Sequence, residues 1–279
     1  MSKIVGKKKM MILWMLPSLI GVTIFWLIPF IKLVVYSFQS SYANKWVGIQ
    51  NYVEVLHNTS FQLAIKNTVK FTLICVPTIM LVSLICAVLL SENKFLNNAM
   101  KAGILLPLII PMVSVSILIT TLFDTSGYVN FLLKTEVEWL NGNYSFWILL
   151  ALHIWKYVGI YMLIWLSGIA NVSMELKEAA SLDGAKKYQY VYYVLLPNLK
   201  QVAFVCVIFV FINIFKIFRE IYLIAGDYPN RNIYMIQHIF NNWYVQFSFD
   251  KLAAGANMIA AVICIILCSA YVLYFKRND

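Results

Sequence analysis

Charge is scarce in this chain. Asp, Glu, Lys and Arg make up 12% of its 279 residues, against roughly 25% in an ordinary soluble domain. A water-soluble protein of this length needs a polar coat over its core, and the residues to build one are missing. Other scarcities narrow the chemistry. The five cysteines, Cys75, Cys86, Cys206, Cys264 and Cys268, all lie inside apolar runs. None has zinc or redox spacing, so they read as small hydrophobes. His57, His153 and His238 are too dispersed to make a metal site. No Gly-x-x-x-x-Gly-Lys-Ser/Thr loop occurs, so the chain lacks the means to hydrolyse ATP by itself. No nucleophile–base pair stands out, and no catalytic residue is assigned. Low-complexity tracts, sequence repeats and long linkers are also missing, which leaves 1–279 as a single membrane domain.

What is abundant is apolar. Hydrophobic residues reach 62% and aromatics 15%, as expected where rings must sit at two membrane–water boundaries. About 20 residues at 1.5 Å rise cross a hydrocarbon core roughly 30 Å thick. Four long uncharged stretches meet that length, at 11–31, 71–91, 102–123 and 252–275. Two more, 146–169 and 201–224, are interrupted by charge. The expected fold class is therefore all-α with six transmembrane helices. The stretch 37–66 reads as an outer loop ending in a short amphipathic helix, and 124–145 as a polar outer loop.

The formal charge of +10 could suit nucleic acid, but the basic residues are scattered rather than gathered in a stripe. Membrane sidedness accounts for them better. Lys3, Lys7, Lys8 and Lys9 precede an apolar run too long for a signal-peptide core and lacking a small-residue cleavage site, so it reads as a retained anchor. With six helices, both termini fall on one side. Twelve Lys/Arg lie on that side, in the two termini and the loops 92–101 and 171–200, against five in the opposite loops. That bias makes both termini cytoplasmic.

The loop 171–200 is the most informative segment. Ser173 suits an N-cap, and Glu175 in the first turn complements the helix dipole. Leu176, Ala179, Ala180 and Leu182 would form a slim apolar side, and Gly184 suits the left-handed residue that ends a helix. A tyrosine-dense helical stretch follows, and Pro197 marks the boundary before the next span. Two short helices with small residues on one face are shaped for close approach by a partner.

In this loop the sequence resembles the permease subunits of binding-protein-dependent ABC importers. Their signature is Glu-Ala-Ala, three residues, Gly, nine residues, Ile, one residue, Leu and then usually Pro. Here stand Glu178-Ala179-Ala180, Gly184, Val194 in place of Ile, Leu196 and Pro197, and Asp183-Gly184-Ala185 matches a common variant. The resemblance extends along nearly the whole chain and points to the maltose and multiple-sugar branch. Leu16-Pro17-Ser18-Leu19 through Ile28-Pro29-Phe30, Val47-Gly48-Ile49-Gln50-Asn51-Tyr52, Asn67-Thr68, Pro77, Leu106-Pro107 with Ile110-Pro111, and Trp155-Lys156 with Val158-Gly159 fit its successive segments. Ala225-Gly226-Asp227-Tyr228-Pro229 stands where many members carry a Gly-Gly-Pro loop, and Lys200 departs from a frequent second proline.

The resemblance implies an ABC importer permease fold in a bacterial cell membrane. It also implies a second homologous permease as heterodimer partner, two cytoplasmic ATPase subunits that hold ATP and magnesium, and an extracytoplasmic solute-binding protein. This chain itself would bind no cofactor. The segment from Glu178 to Gly184, with Ala185, Leu196 and Pro197 behind it, would fit a groove on the ATPase. Small Ala179 and Ala180 would allow close contact, and Glu178 would meet a basic group.

Ionisable groups inside spans tend to face protein or water and to mark pathways. Lys156 falls mid-helix in the fourth span, with His153, Tyr157 and Ile160 on its side. Asn213, Lys216 and Glu220 recur in the fifth with Arg219 beside them. With aromatic faces such as Trp155, Phe209 and Tyr222, these could line a cavity for sugar hydroxyls. Snorkelling with a local ion pair is the alternative for Lys216, Arg219 and Glu220, and an interhelical role for Lys156. A phosphate-ester importer would also suit these cations, whereas a polyamine route would want more carboxylates than Glu220. An ATPase-independent secondary transporter would have no use for the signature from Glu178 to Pro197, and a membrane enzyme would need a polar catalytic cluster.

Overall fold

The structure, a computed structural model, describes residues 14–41, 45–92 and 97–275. The basic N-terminal lysines, Lys94 and the Lys276–Arg277 pair lie outside the described residues, as do the first positions of the expected 11–31 span. Among the described residues six helical stretches are long and apolar enough to cross a bilayer: Trp14–Tyr36, Thr59–Ser91, Met112–Leu133, Ser145–Ala170, Lys200–Ala225 and Phe249–Val272.

The helices are labelled α1 (Trp14–Tyr36), α2 (Gln50–His57), α3 (Thr59–Glu92), α4 (Asn97–Ile109), α5 (Met112–Phe123), α6 (Tyr128–Leu133), α7 (Ser145–Ala170) and α8 (Met174–Leu182). Next comes α9, made of Lys187–Gln189, Tyr190–Leu195 and Leu196–Asn198, followed by α10 (Lys200–Ala225), α11 (Ile236–Val245) and α12 (Phe249–Phe275).

Prolines account for two π-helical turns and one helix break. A proline cannot donate to the carbonyl four residues back, and its ring crowds that carbonyl. Before Pro29, α1 widens to a π-helical turn over Thr23–Leu27, and the Ile28 N–H reaches back to the Thr23 carbonyl. Before Pro197, α9 does the same over Tyr190–Leu195, with the Leu196 N–H on the Val191 carbonyl. At Pro111 the adjustment fails and the chain turns extended at that residue (ψ 138°). The expected 102–123 span is therefore two helices, α4 and α5. Asn58 supplies another boundary: its side chain accepts from the Phe61 N–H at 3.0 Å. This cap starts the second span at Thr59, within what the sequence suggested was outer loop.

The chain divides into two compact units. One comprises the described residues up to Gln62 and those from Ile239 onward. In it α2 lies against α12, with Lys251 Nζ 3.7 Å from Glu54 Oε2. The Asn51 amide donates to the Ser37 and Gln39 carbonyls, at 2.9 Å each. Phe61 stacks on Trp243, and Gly255 leaves room for the Trp243 and Phe240 rings.

The other unit, Leu63–His238, is built around α7, whose buried positions recur along its whole length. Close approach depends on two glycines, as in membrane helix pairs generally. A Cβ at Gly159 would sit 2.5 Å from the Ile104 carbonyl oxygen of α4, and one at Gly168 2.6 Å from Val202 Cγ2 of α10. Phe71, Cys75 and Ile79 of α3, Phe146, Leu149 and Tyr161 of α7, and Val210, Ile214 and Ile221 of α10 make the main apolar cluster. Asn67 of α3 holds the segment before α11, donating to the Arg231 and Tyr234 carbonyls.

Candidate functional site

The loop between α7 and α10 stands out by its exposure, since no residue of α8 is buried. Ser173 caps it by accepting from the Glu175 N–H at 3.2 Å, and Glu175 stands in the first turn. At the other end the Gly184 N–H donates to the Ser181 carbonyl and the Ala185 N–H to the Ala180 carbonyl. With Gly184 at φ 73° this is a complete Schellman closure, which an L side chain would strain. The helix is thus closed at both ends by local bonds. Glu178, Ala179, Asp183 and Gly184 are exposed, and Ala180 and Ala185 are half-buried. Leu182 is 89% exposed and Met174 66%, so apolar surface faces away from the chain's own core.

The second arm is seated differently. Leu195 and Leu199 are buried in a cluster with Met162, Trp165 and Cys206, and Tyr190 and Val191 pack against it. Leu196 is half-buried and Pro197 exposed. Gln189 accepts from the Lys186 N–H at 2.7 Å and starts α9. Below the loop opens a cavity of about 740 Å³, lined in part by Lys101, Lys177, Asn171 and Tyr190.

The intramembrane candidates separate into two sets. Tyr157 of α7 donates its hydroxyl to Glu220 Oε1 at 2.8 Å, and Asn213 donates to the Tyr161 hydroxyl at 3.0 Å. Both bonds tie α7 to α10 on either side of a tight 3₁₀ turn, Phe215–Ile217. Glu220 is 1% exposed, and its Oε2 has no hydrogen-bond partner. Lys216 and Arg219 point outward, as do Trp155, Phe209 and Tyr222. Lys156 joins neither set. Its ammonium is buried and donates to the Ile110 carbonyl at 2.9 Å and the Pro107 carbonyl at 3.3 Å. His153 is buried against the Phe71 and Tyr157 rings, and both its nitrogens lack hydrogen-bond partners.

Three participants carry no sequence signal as site residues. Tyr161 sits one helical turn beyond Tyr157, and only tertiary packing shows that it meets Asn213. The Pro107 and Ile110 carbonyls matter because of a helix break; Pro111 was visible in the sequence, its consequence was not. Outside the spans, His238 is fully buried between Phe218 and Tyr234. Burial pushes its imidazole down to about 4.

Residues 79–278 match the family model described as binding-protein-dependent transport system inner membrane component. The chain is 28% identical to an arabinooligosaccharides transport system permease protein of Bacillus subtilis (strain 168), over 94% of this chain and 86% of that protein. It is 27% identical to a probable starch degradation products transport system permease protein of Thermoanaerobacterium thermosulfurigenes, covering 95% and 93% of the two. A chain of a bacterial ABC transporter involved in import of the acidic polysaccharide alginate superposes with a TM-score of 0.86 at 22% identity, covering 99% of each. A chain of a bacterial alginate ABC transporter in complex with an alginate pentasaccharide-bound periplasmic protein gives 0.83 at 22% identity, over 96% of this chain and 94% of that one.

Proposed function

The chain belongs to the family of inner-membrane components of binding-protein-dependent transport systems, and from that premise we propose that it is the permease through which an ATP-driven importer moves a sugar or short oligosaccharide into a bacterial cell. It is a multi-pass transport component and not an enzyme. The observation that carries the reading is α8, an exposed helix capped at both ends that bears Glu178, Ala179 and Ala180 between the fourth and fifth spans. The arabinooligosaccharide and starch-product relatives support a sugar as the solute.

In this proposal α8 lies in the cytoplasm with both chain termini and inserts into a groove on one of two ATPase subunits, which hold ATP and magnesium. A second, homologous permease completes the pathway, and an extracytoplasmic binding protein delivers the solute. Coupling requires the α8 contact to differ between the inward- and outward-facing states, because a contact equal in both shifts nothing. The exposed Lys216 and Arg219, with Phe209 and Tyr222, are candidates to face the solute. Tyr157, Asn213, Glu220 and Lys156 would hold α7, α10 and α4 in register behind them.

The test is coupling in reconstituted vesicles. Glu178→Lys and Gly184→Pro are expected to abolish solute-stimulated ATP hydrolysis while the complex still assembles in the membrane. Full stimulation in both variants would defeat the reading. Thermal-shift screening of the co-purified binding protein against sugars and phosphate esters checks the solute class.

A further inference from the structure

The loop that carries α8 has two arms of opposite charge. From Ser173 to Asp183 there are three acids, Glu175, Glu178 and Asp183, against one base, Lys177. From Lys186 to Lys200 there are three bases, Lys186, Lys187 and Lys200, and no acid. The second arm is also amphipathic. Its inner side, Leu195 and Leu199 with Tyr190 and Val191, packs into the core. Its outer side presents Tyr188 at 65%, Tyr192 at 65% and Tyr193 at 70% exposure, the last two ring-to-edge at 5.0 Å.

We propose that the outer face of α9 rests on the anionic lipid surface of the membrane, with Tyr188, Tyr192 and Tyr193 in the headgroup layer and Lys186 and Lys187 on lipid phosphates, leaving α8 alone to meet the motor. This inference rests on the cytoplasmic placement of the loop proposed above and adds a second partner to it. The chemistry of the face selects that partner. Tyrosine has an apolar ring and a wet hydroxyl, which suits the boundary between acyl chains and water. Near an anionic leaflet each lysine strengthens adsorption about fivefold, equivalent to ~1 kcal/mol. The same field repels the acidic α8. Distance agrees: Tyr193 is seven residues before Lys200, where the fifth span begins, which is about 10 Å of helix and within reach of the headgroup layer. Lipid thus fixes the height of the loop, so that movement of α8 passes into α10 instead of being lost in a mobile linker.

Nitroxide labels at Tyr192→Cys and Leu182→Cys test this, in full-length chain paired with its partner permease and with the accessible thiols removed as Cys86→Ser, Cys264→Ser and Cys268→Ser. Relaxation by oxygen, which concentrates in the bilayer, is compared with relaxation by a water-bound nickel chelate. In vesicles of phosphatidylcholine with phosphatidylglycerol and without ATPase subunits, oxygen should dominate at 192 and nickel at 182. Lys186→Gln with Lys187→Gln should move the value at 192 toward that at 182, as should vesicles of phosphatidylcholine alone. Nickel dominating at 192 as at 182 overturns the proposal. So does protection at 192 that arises only when ATPase subunits are added, since the face would then belong to the motor. A label at 182 indifferent to the ATPase would instead sink the docking role of α8 and leave the result at 192 standing.

Discussion

The Lys156 ammonium is hydrogen-bonded to the Ile110 carbonyl, 46 residues earlier in the chain, at 2.9 Å. With the Pro107 carbonyl at 3.3 Å, it caps the end of α4. Pro111 has no N–H to give Pro107, and the extended turn there frees Ile110 as well. Two carbonyls orphaned inside a membrane protein need donors, and a lysine with three of them serves both. The expected result for Lys156→Met is a loss of about 1–3 kcal/mol, from carbonyls left unpaired and offset in part by removal of a buried charge. Thermal unfolding in detergent measures it. An unchanged unfolding temperature with altered solute preference would instead assign Lys156 to the solute.

Gly159 sets how closely α4 approaches α7. A methyl group there meets the Ile104 carbonyl oxygen at 2.5 Å, and backbone cannot swing aside as a side chain can. Gly159→Ala should therefore cost about 1–3 kcal/mol. It should also lengthen the Lys156 bonds, because the same two helices carry them. Combined with Lys156→Met, the losses should be less than additive. Strict additivity in unfolding measurements would separate the two contacts.

These two residues show what the sequence could and could not reveal. The loop from Ser173 to Pro197 was legible because its capping serine, its φ-positive glycine and its proline act within a few residues of themselves. The spans were legible from hydropathy and length. Lys156 was visible only as a buried charge, since its partners lie across a helix break and whether a proline bends or breaks a helix depends on who satisfies the freed carbonyl. Asn213, Lys216 and Glu220 share a helical period, yet the tight turn at Phe215–Ile217 and the pull of Tyr157 and Tyr161 send Lys216 outward and the other two inward.

His238 gives a pH dependence outside the spans. Its imidazole is held down to about 4 by burial, against an ordinary value of about 6.5. The fold therefore favours the neutral ring. Above about pH 6.5 the contribution to stability is complete, and it is lost as pH falls toward 4, where the unfolded chain binds a proton that the folded chain refuses. The loss over that window amounts to about 3 kcal/mol. Unfolding temperature followed from pH 7 to 4 should fall more steeply for the parent chain than for His238→Phe. Parallel curves would show that His238 is not the titrating group.

Tyr157 and Glu220 fix α7 to α10 beside the 3₁₀ turn. The Glu220 carboxyl group is 1% exposed, takes one hydrogen bond from Tyr157 at 2.8 Å and leaves Oε2 without a partner. Removing the phenol strips that bond from a group already short of partners. Tyr157→Phe should cost about 2 kcal/mol or more, because the acceptor stays buried. In a Glu220→Leu background the same substitution should be nearly neutral, since both polar ends are then gone. The difference between the two costs is the coupling energy of the pair. An equal cost in both backgrounds would mean that the Tyr157 hydroxyl acts through a group other than Glu220, and Glu220 would then be free to turn toward the solute.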